Sequence, residues 1–148
     1  MKKQITIEGE GLFALHSMVS SASFNSRAEG RKINTLANWL KDPLQEYKDA
    51  VKAVFDKYAV ETTDEKTGKT VKDVPQDKVI EHNKEMEAVR LHPYTVVFDK
   101  ESFSFAETIV DGLFTRKEIQ DQSGLVGLES ARNMEQISVA FEKAVDVD

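Results

Sequence analysis

One continuous helical pattern, over residues 27 to about 59, constrains this chain more than any other feature. Its apolar residues recur in steps of three and four, which places them along one side of a helix. They are Ile33, Leu36, Ala37, Leu40, Leu44, Tyr47, Val51, Val54, Phe55 and Tyr58. A stripe of this kind packs against other elements and carries no chemistry. The pattern therefore predicts a helix-dominated fold before it indicates any function.

The start and the middle of this helix carry further signals. Ser26, followed three residues later by Glu29, is a capping box that predicts the helix start. Pro43 lies inside the pattern, where proline removes one backbone hydrogen bond and crowds the preceding turn. Because the apolar stripe keeps its register across Pro43, we expect one long kinked helix here.

Two short segments predict β-strands, since residues 3–7 alternate in the manner of a strand and residues 94–98 are rich in β-branched and aromatic side chains. Each alone would leave its backbone groups unpaired, so we expect the two strands to be neighbours. The polar segment 62–73 predicts an exposed loop or small hairpin that turns at Thr67-Gly68. Together these patterns predict a single α+β domain over residues 1–148, with the long kinked helix, several shorter helices and a small two- or three-stranded sheet.

The remaining patterns complete the predicted fold. Residues 8–11 are expected to separate the first strand from a short helix, and the last three residues are expected to fray. Ser104 and Glu107 form a second capping box, which predicts a helix with Phe105, Ile109, Val110 and Leu113 facing inward. A last helix follows the stripe Leu128, Ala131, Met134, Ile137, Phe141 and Ala144. We expect these core residues to be largely buried: Leu40, Val54, Phe55, Val97, Ile109, Met134, Ile137 and Phe141.

Composition excludes several classes of protein. The chain has no cysteine, so disulfides, zinc–thiolate sites and cysteine nucleophiles are ruled out. No apolar run approaches the roughly 18 residues that a membrane span needs, and the first residues lack the apolar core of a signal peptide. The net charge of −6 lies wholly in residues 99–148, which hold 11 acids and 5 bases. That excess indicates either a solvated acidic surface or an acidic face that docks onto a basic partner.

Candidate catalytic and metal sites are few. Of the three histidines, His16 lies on an apolar helix face and His92 precedes a proline. His82 and Glu85 have the spacing that places two ligands on one helix face, but the sequence supplies no third ligand. Nucleophile-elbow, phosphate-loop and dinucleotide-binding glycine motifs are all absent. We therefore predict no catalytic residue, no cofactor and no metal.

The candidate binding residues are Arg27, Arg31, Lys32 and Trp39. Positive charge in the first turns of a helix opposes the helix dipole, so these three cations call for another explanation. They either pair with the acidic last third of the chain or contact a phosphate or an acidic partner. Trp39, the only tryptophan, widens the apolar face of the long helix and is either a core residue or an interface anchor.

The order of these motifs resembles a family of small proteins of unknown function from phages and prophages of Gram-positive bacteria. The motifs are the strand Lys3-Gln4-Ile5-Thr6-Ile7, the pair Leu12-Phe13, the basic stretch 27–32, the helix end Lys57-Tyr58-Ala59 and the turn at 66–69. The chain departs from that family in its longer region between Phe98 and Gly127. The resemblance implies a phage origin and a location in the bacterial host cytoplasm, and it implies no activity.

From these observations we expect a non-enzymatic phage accessory protein that acts by protein–protein interaction. Its partner would be a host or defence factor or a phage assembly component, and self-association is possible. The alternative is a nucleic-acid or nucleotide-binding protein that uses the basic stretch 27–32. No membrane association is expected.

Overall fold

The computed structural model of this protein describes residues 1–22, 25–115 and 128–148. Helices account for most of these residues, and two small antiparallel sheets complete the fold. In chain order the elements are β1 (Lys2–Glu8), α1 (Gly9–Ser20), α2 (Arg27–Tyr58), β2 (Val60–Thr63), β3 (Thr70–Asp73), α3 (Val79–Leu91), β4 (Pro93–Asp99), α4 (Lys100–Thr115), α5 (Leu128–Glu142) and β5 (Val145–Val147). A 3-10 turn, Gln76–Lys78, precedes α3. The predicted helix-dominated α+β class is confirmed.

Helix α2 forms as one element of 32 residues and continues through Pro43. Its start at Arg27 is capped as the sequence predicts, because Ser26 Oγ accepts the Glu29 backbone N–H at 3.2 Å. The Glu29 carboxylate in turn accepts the backbone N–H of Asn25 at 2.9 Å. The buried positions of α2 follow the predicted stripe and are Leu36, Leu40, Leu44, Tyr47 and Val54.

Strand β1 lies at the centre of a three-stranded sheet in the order β4–β1–β5. It pairs antiparallel with β4, with Ile5 opposite Val96, so the two predicted strands are neighbours as expected. It also pairs with β5, with Gln4 opposite Val145. The expectation that the last three residues fray was therefore wrong for residues up to Val147, because they gain a strand partner.

One face of this sheet forms the floor of the hydrophobic core. Alternate residues of β1 and β4 point inward and are nearly or fully buried: Ile5, Ile7, Tyr94, Val96 and Phe98. Phe98, Phe103 and Phe141 join β4, α4 and α5 through ring centroids 5.3–6.4 Å apart. The predicted inward stripe of the last helix is confirmed at Met134, Ile137 and Phe141.

Helix α4 begins earlier than predicted and turns a different face inward. The Asp99 carboxylate accepts the backbone N–H of Ser102 at 2.6 Å and caps the helix directly after β4. The buried positions are consequently Ser102, Phe103, Ala106 and Val110. The inward prediction is confirmed for Val110, whereas Phe105 and Ile109 pack against the core and are only partly buried, so the predicted large burial of Ile109 was wrong. The burial predicted for Leu113 falls outside the described side chains.

Two further expectations need correction. Helix α1 begins at Gly9, so residues 9–11 belong to the helix rather than to a break after the strand. Phe55 and Val97 are partly buried rather than largely buried. Phe55 directly follows the buried Val54 on α2, and Val97 points to the face of the sheet opposite to that of Val96 and Phe98.

The polar segment after α2 forms a hairpin of β2 and β3, as one of its two predicted forms. Gly68 adopts a φ of +68° in the turn, a left-handed conformation that glycine accepts without strain. Every residue of both strands is exposed. One ion pair, from Lys72 Nζ to Asp56 Oδ1 at 2.6 Å, joins the hairpin to α2.

Candidate functional site

An open groove lies between the first turns of α2 and those of α4. Its outer part encloses about 480 Å³ and its inner part about 140 Å³. Lys32, Glu101 and Phe105 line both parts, so the two form one continuous groove. We call it the basic groove, and its other lining residues are Arg31, Thr35, Asp99, Lys100, Ser102, Ser104 and Thr108.

Helical spacing explains why these residues meet. On α4, Glu101, Ser104 and Thr108 follow one another in steps of three and four and therefore share a face. On α2, Arg31 and Thr35 are four residues apart and share a face for the same reason. The basic groove is thus the meeting line of one polar face from each helix.

The cations of the basic groove form no ion pair within the described part of the chain, although the charge of Lys100, after that of Lys3, helps to lower the pKa of the Asp146 carboxyl. Arg31, Lys32 and Lys100 are exposed, and the ion pairs found there use other lysines: Lys3, Lys57 and Lys72. Lys32 Nζ instead lies 5.9 Å from the centre of the Phe105 ring, a cation–π contact. Pairing of the basic stretch with the acidic last third, one of the two predicted explanations, is not observed among the described residues.

The hydroxyl groups of the basic groove differ in what they can offer a ligand. Thr35 Oγ1 donates to the Arg31 carbonyl at 2.9 Å, and Thr108 Oγ1 donates to the Ser104 carbonyl at 3.0 Å. With their protons committed, both hydroxyls can only accept. The donors left for a ligand are the three cations and the hydroxyls of Ser102, which is buried, and Ser104. Two carboxylates, Asp99 and Glu101, line the groove with them, and Asp99 also caps α4.

The structure brings together only two of the four predicted binding residues. Arg31 and Lys32 line the basic groove, whereas Arg27 is exposed one turn earlier on α2 and does not line it. Trp39 lies two turns beyond Lys32 on the same side of α2 and is partly buried against the hydrophobic core. Lys100 was not predicted as a binding residue, because the sequence pattern ends the strand at residue 98 and starts the next helix only at Ser104.

A second cluster of titratable groups joins α2 to α3. Glu85 Oε1 accepts from Lys57 Nζ and from the Tyr58 hydroxyl, both at 2.6 Å. These bonds lower the pKa of the Glu85 carboxyl and raise the pKa values of Lys57 and Tyr58. The His82 ring packs edge-on against Phe55 and Tyr58, with centroids 6.4 and 6.1 Å away.

This second cluster has the features of an inter-helix contact. Within the described residues no group of three histidine, aspartate or glutamate side chains is placed to hold a metal ion. The other carboxyl groups with shifted pKa values, Asp56 and Asp146, are likewise exposed, and each is lowered chiefly by a hydrogen bond from a lysine. A general acid poised for catalysis would instead show a raised pKa in a shaped pocket.

Comparison with models of known families, with curated proteins and with solved structures finds no match for this chain. Among the described residues, no helix combines the length and the apolar character needed to cross a membrane. The basic groove is therefore the feature of the molecule from which we infer a function.

Proposed function

We propose that this protein is a non-enzymatic binding protein and that its basic groove holds an acidic segment of a partner protein. One observation carries the proposal: Arg31, Lys32 and Lys100 line one groove from two helices, and none of them forms an ion pair with a described residue. Exposed cations held side by side repel one another, and a bound carboxylate or phosphate relieves that repulsion.

The charge distribution favours a protein partner over a nucleic acid. Nucleic-acid binding draws its affinity from many phosphate contacts along a basic stripe. Here the basic groove gathers three cations, with Asp99 and Glu101 among them, on a chain whose net charge is −6. Three other lysines, Lys3, Lys57 and Lys72, form ion pairs outside the groove.

Aromatic side chains beside the cations fit the same proposal. Phe105 forms part of the groove lining, and Trp39 continues the same side of α2 beyond it. Arginine and large aromatic residues are enriched where proteins bind proteins, because they supply area and directed hydrogen bonds together. We place the partner segment along this line, with its acidic groups on Arg31 and Lys32 and its apolar groups towards Trp39.

We also propose a biological setting, which is drawn from the family resemblance and not from the structure. The family resemblance supports a phage accessory role, with a host factor or a phage protein as the partner and the bacterial host cytoplasm as the location. That setting rests on the resemblance alone.

The test is a charge reversal with a matched control. Arg31→Glu combined with Lys32→Glu reverses the α2 side of the groove. Lys41→Glu combined with Lys84→Glu makes the same change in net charge at exposed positions elsewhere. We expect the groove variant to bind a labelled glutamate-rich peptide at least about tenfold more weakly, with unchanged thermal stability, and the control to bind normally.

Three further outcomes are informative. Binding that weakens steeply with added salt supports an electrostatic groove. The nucleic-acid alternative would be supported by a different result. In that case neither the wild-type protein nor a variant binds the peptide, and the groove variant loses the binding of a labelled single-stranded oligonucleotide that the wild-type protein shows. A groove variant that unfolds several degrees lower would show that these cations stabilise the fold, and the proposed function would then fail.

A further inference from the structure

The hairpin of β2 and β3 exposes apolar side chains although it consists of only two short strands. Its strands pack on each other rather than on the helices, and Val60 and Val71 are 52% and 54% exposed. An isolated two-stranded hairpin is at best marginally stable in water. Lys72 ties it to α2 through Asp56, and about half of the surface of each valine remains open to solvent.

The outer edge of β3 is complementary to a second copy of itself. Lys69 directly precedes β3, and its carbonyl accepts the Asp64 backbone N–H at 2.9 Å, which continues the ladder. Lys69, Val71 and Asp73 occupy alternate positions, so their side chains point to one face of the hairpin. If two copies of β3 pair antiparallel about a two-fold axis at Val71, the two Val71 side chains lie opposite each other. The same register places Lys69 opposite the partner's Asp73, twice by symmetry, and opposite charges in such cross-strand pairs are stabilising.

The outer edge of β2 lacks this property. An axis at Glu61 would place two glutamates opposite each other. An axis at Thr62 would place Val60 opposite the partner's Asp64. Neither register gives a pair of opposite charges, so the charges on the hairpin select β3 as the edge that pairs.

We propose that two copies of this chain associate through β3, forming a four-stranded sheet in the order β2–β3–β3–β2. Thr62 and Val71 then form one row of β-branched side chains across the four strands, continued by the partner's Val71 and the partner's Thr62. Lys72 points to the other face and keeps its ion pair with Asp56. The proposal uses no residue of the basic groove, so the two can fail independently.

Charge swaps test the register by sedimentation of the full chain. We expect the wild-type protein to form a dimer. Lys69→Asp and Asp73→Lys should each weaken dimerisation roughly tenfold, because each places like charges opposite one another at two symmetric positions. Mixing these two variants should restore a heterodimer, and the double variant Lys69→Asp with Asp73→Lys should restore the homodimer. Lys66→Asp, in the turn, is the control that leaves dimerisation unchanged.

Cysteine cross-linking provides an independent measurement, because the chain has no cysteine of its own. Val71→Cys should oxidise to a covalent dimer. Thr62→Cys should not, because the two positions would be three strand spacings apart, about 14 Å, which exceeds the reach of a disulfide. A wild-type protein that stays monomeric at high concentration overturns the proposal. So does a dimer that both single charge reversals leave intact, or one that cross-links at position 62 and not at 71.

Discussion

The two sheets of this protein have similar residues and opposite surroundings. In strands β1 and β4 alternate residues face inward, and this inner face is almost completely inaccessible to solvent. Strands β2 and β3 also contain valine and threonine, yet every residue there is exposed. The difference lies in what covers them, since helices α1, α2, α4 and α5 contact the first sheet, whereas the hairpin is joined to α2 by the ion pair of Lys72 with Asp56.

The comparison shows that the tendency to form a strand and the contribution of that strand to stability are separate properties. A β-branched pattern states that a segment can form a strand, whereas its contribution to stability depends on the area that other elements bury. The first sheet therefore belongs to the cooperative core. The hairpin can change its partners, or open, while the rest of the protein stays folded.

The largest contrast is expected between a core aromatic and a hairpin valine. Phe141 is 7% exposed and packs on Phe98 and Phe103. Phe141→Ala should lower the free energy of unfolding by about 3–5 kcal/mol, because it leaves a cavity between α5 and the sheet. Val71→Ala should change it by less than about 0.5 kcal/mol. Urea titration of both variants checks the comparison, and a loss below about 1 kcal/mol for Phe141→Ala would mean that α5 is not docked.

The next effect concerns the close approach where β1 turns into α1. A Cβ added at Gly9 would lie 2.4 Å and 2.5 Å from two ring carbons of Tyr47. Because Tyr47 is packed edge-on against Tyr94, we expect Gly9→Ala to cost about 1–3 kcal/mol through overpacking.

Two controls accompany the Gly9 variant. Gly112 lies within α4, where an added Cβ would meet no described atom within 4 Å. Gly112→Ala should stabilise the protein by about 0.5–1 kcal/mol, because alanine is the better helix former. Adding Tyr47→Leu to Gly9→Ala should recover part of the loss. If Gly9→Ala and Gly112→Ala behave alike in thermal unfolding, the close approach at Tyr47 does not constrain this position.

A smaller effect should be confined to the hairpin. Gly68→Ala forces a side chain into the left-handed region at φ +68°, at a local cost of about 1–2 kcal/mol. Hydrogen exchange of the β2 and β3 amides should therefore accelerate while global unfolding is unchanged. Gly68→Asn should have a weaker effect, because asparagine tolerates this conformation. Equal acceleration in β1 and β4 would show that the two sheets form one cooperative unit.

The smallest effect should be a pH dependence on the core side of the comparison. Burial, and then the positive charge of Lys48, lower the pKa of His16 below 6.5. The folded state thus favours the neutral ring, so its stability is complete above about pH 6.5 and declines as the pH falls through the lower folded pKa. His16→Gln should flatten the dependence of the urea midpoint on pH between about 7.5 and 5.5. Lys48→Gln should reduce it, and an unchanged slope in His16→Gln would assign it to another group.

Much of this fold was predictable because the secondary structure of a long, periodic segment can be inferred from its own sequence. The stripe of α2 and its cap at Ser26 need only local sequence, and the two predicted strands needed only their mutual lack of partners. The start of α4 was not predictable in the same way. Ser104 with Glu107 and Asp99 with Ser102 are both plausible caps by sequence, and only the direct passage from β4 into α4 selects Asp99.

The candidate site was half predictable for the same reason. Arg31 and Lys32 stand out because they oppose the helix dipole on α2. Lys100 and Ser104 join them only once the register of α4 is known. Strand β5 shows the opposite limit, since Val145–Val147 is too short to be recognised and forms because β1 already presents an edge.

The central place of β1 also has a consequence for how the chain folds as it is synthesised. Its neighbours are distant in sequence, since Gln4 pairs with Val97 on one side and with Val145 on the other. Such non-local pairing slows folding, because a long loop must close before any contact rewards it. During translation β1 leaves the ribosome long before β4 and β5 are synthesised, so both of its edges are unpaired in the meantime. Lys2 and Lys3, at its start, supply positive charge that discourages the unpaired strand from pairing with another chain.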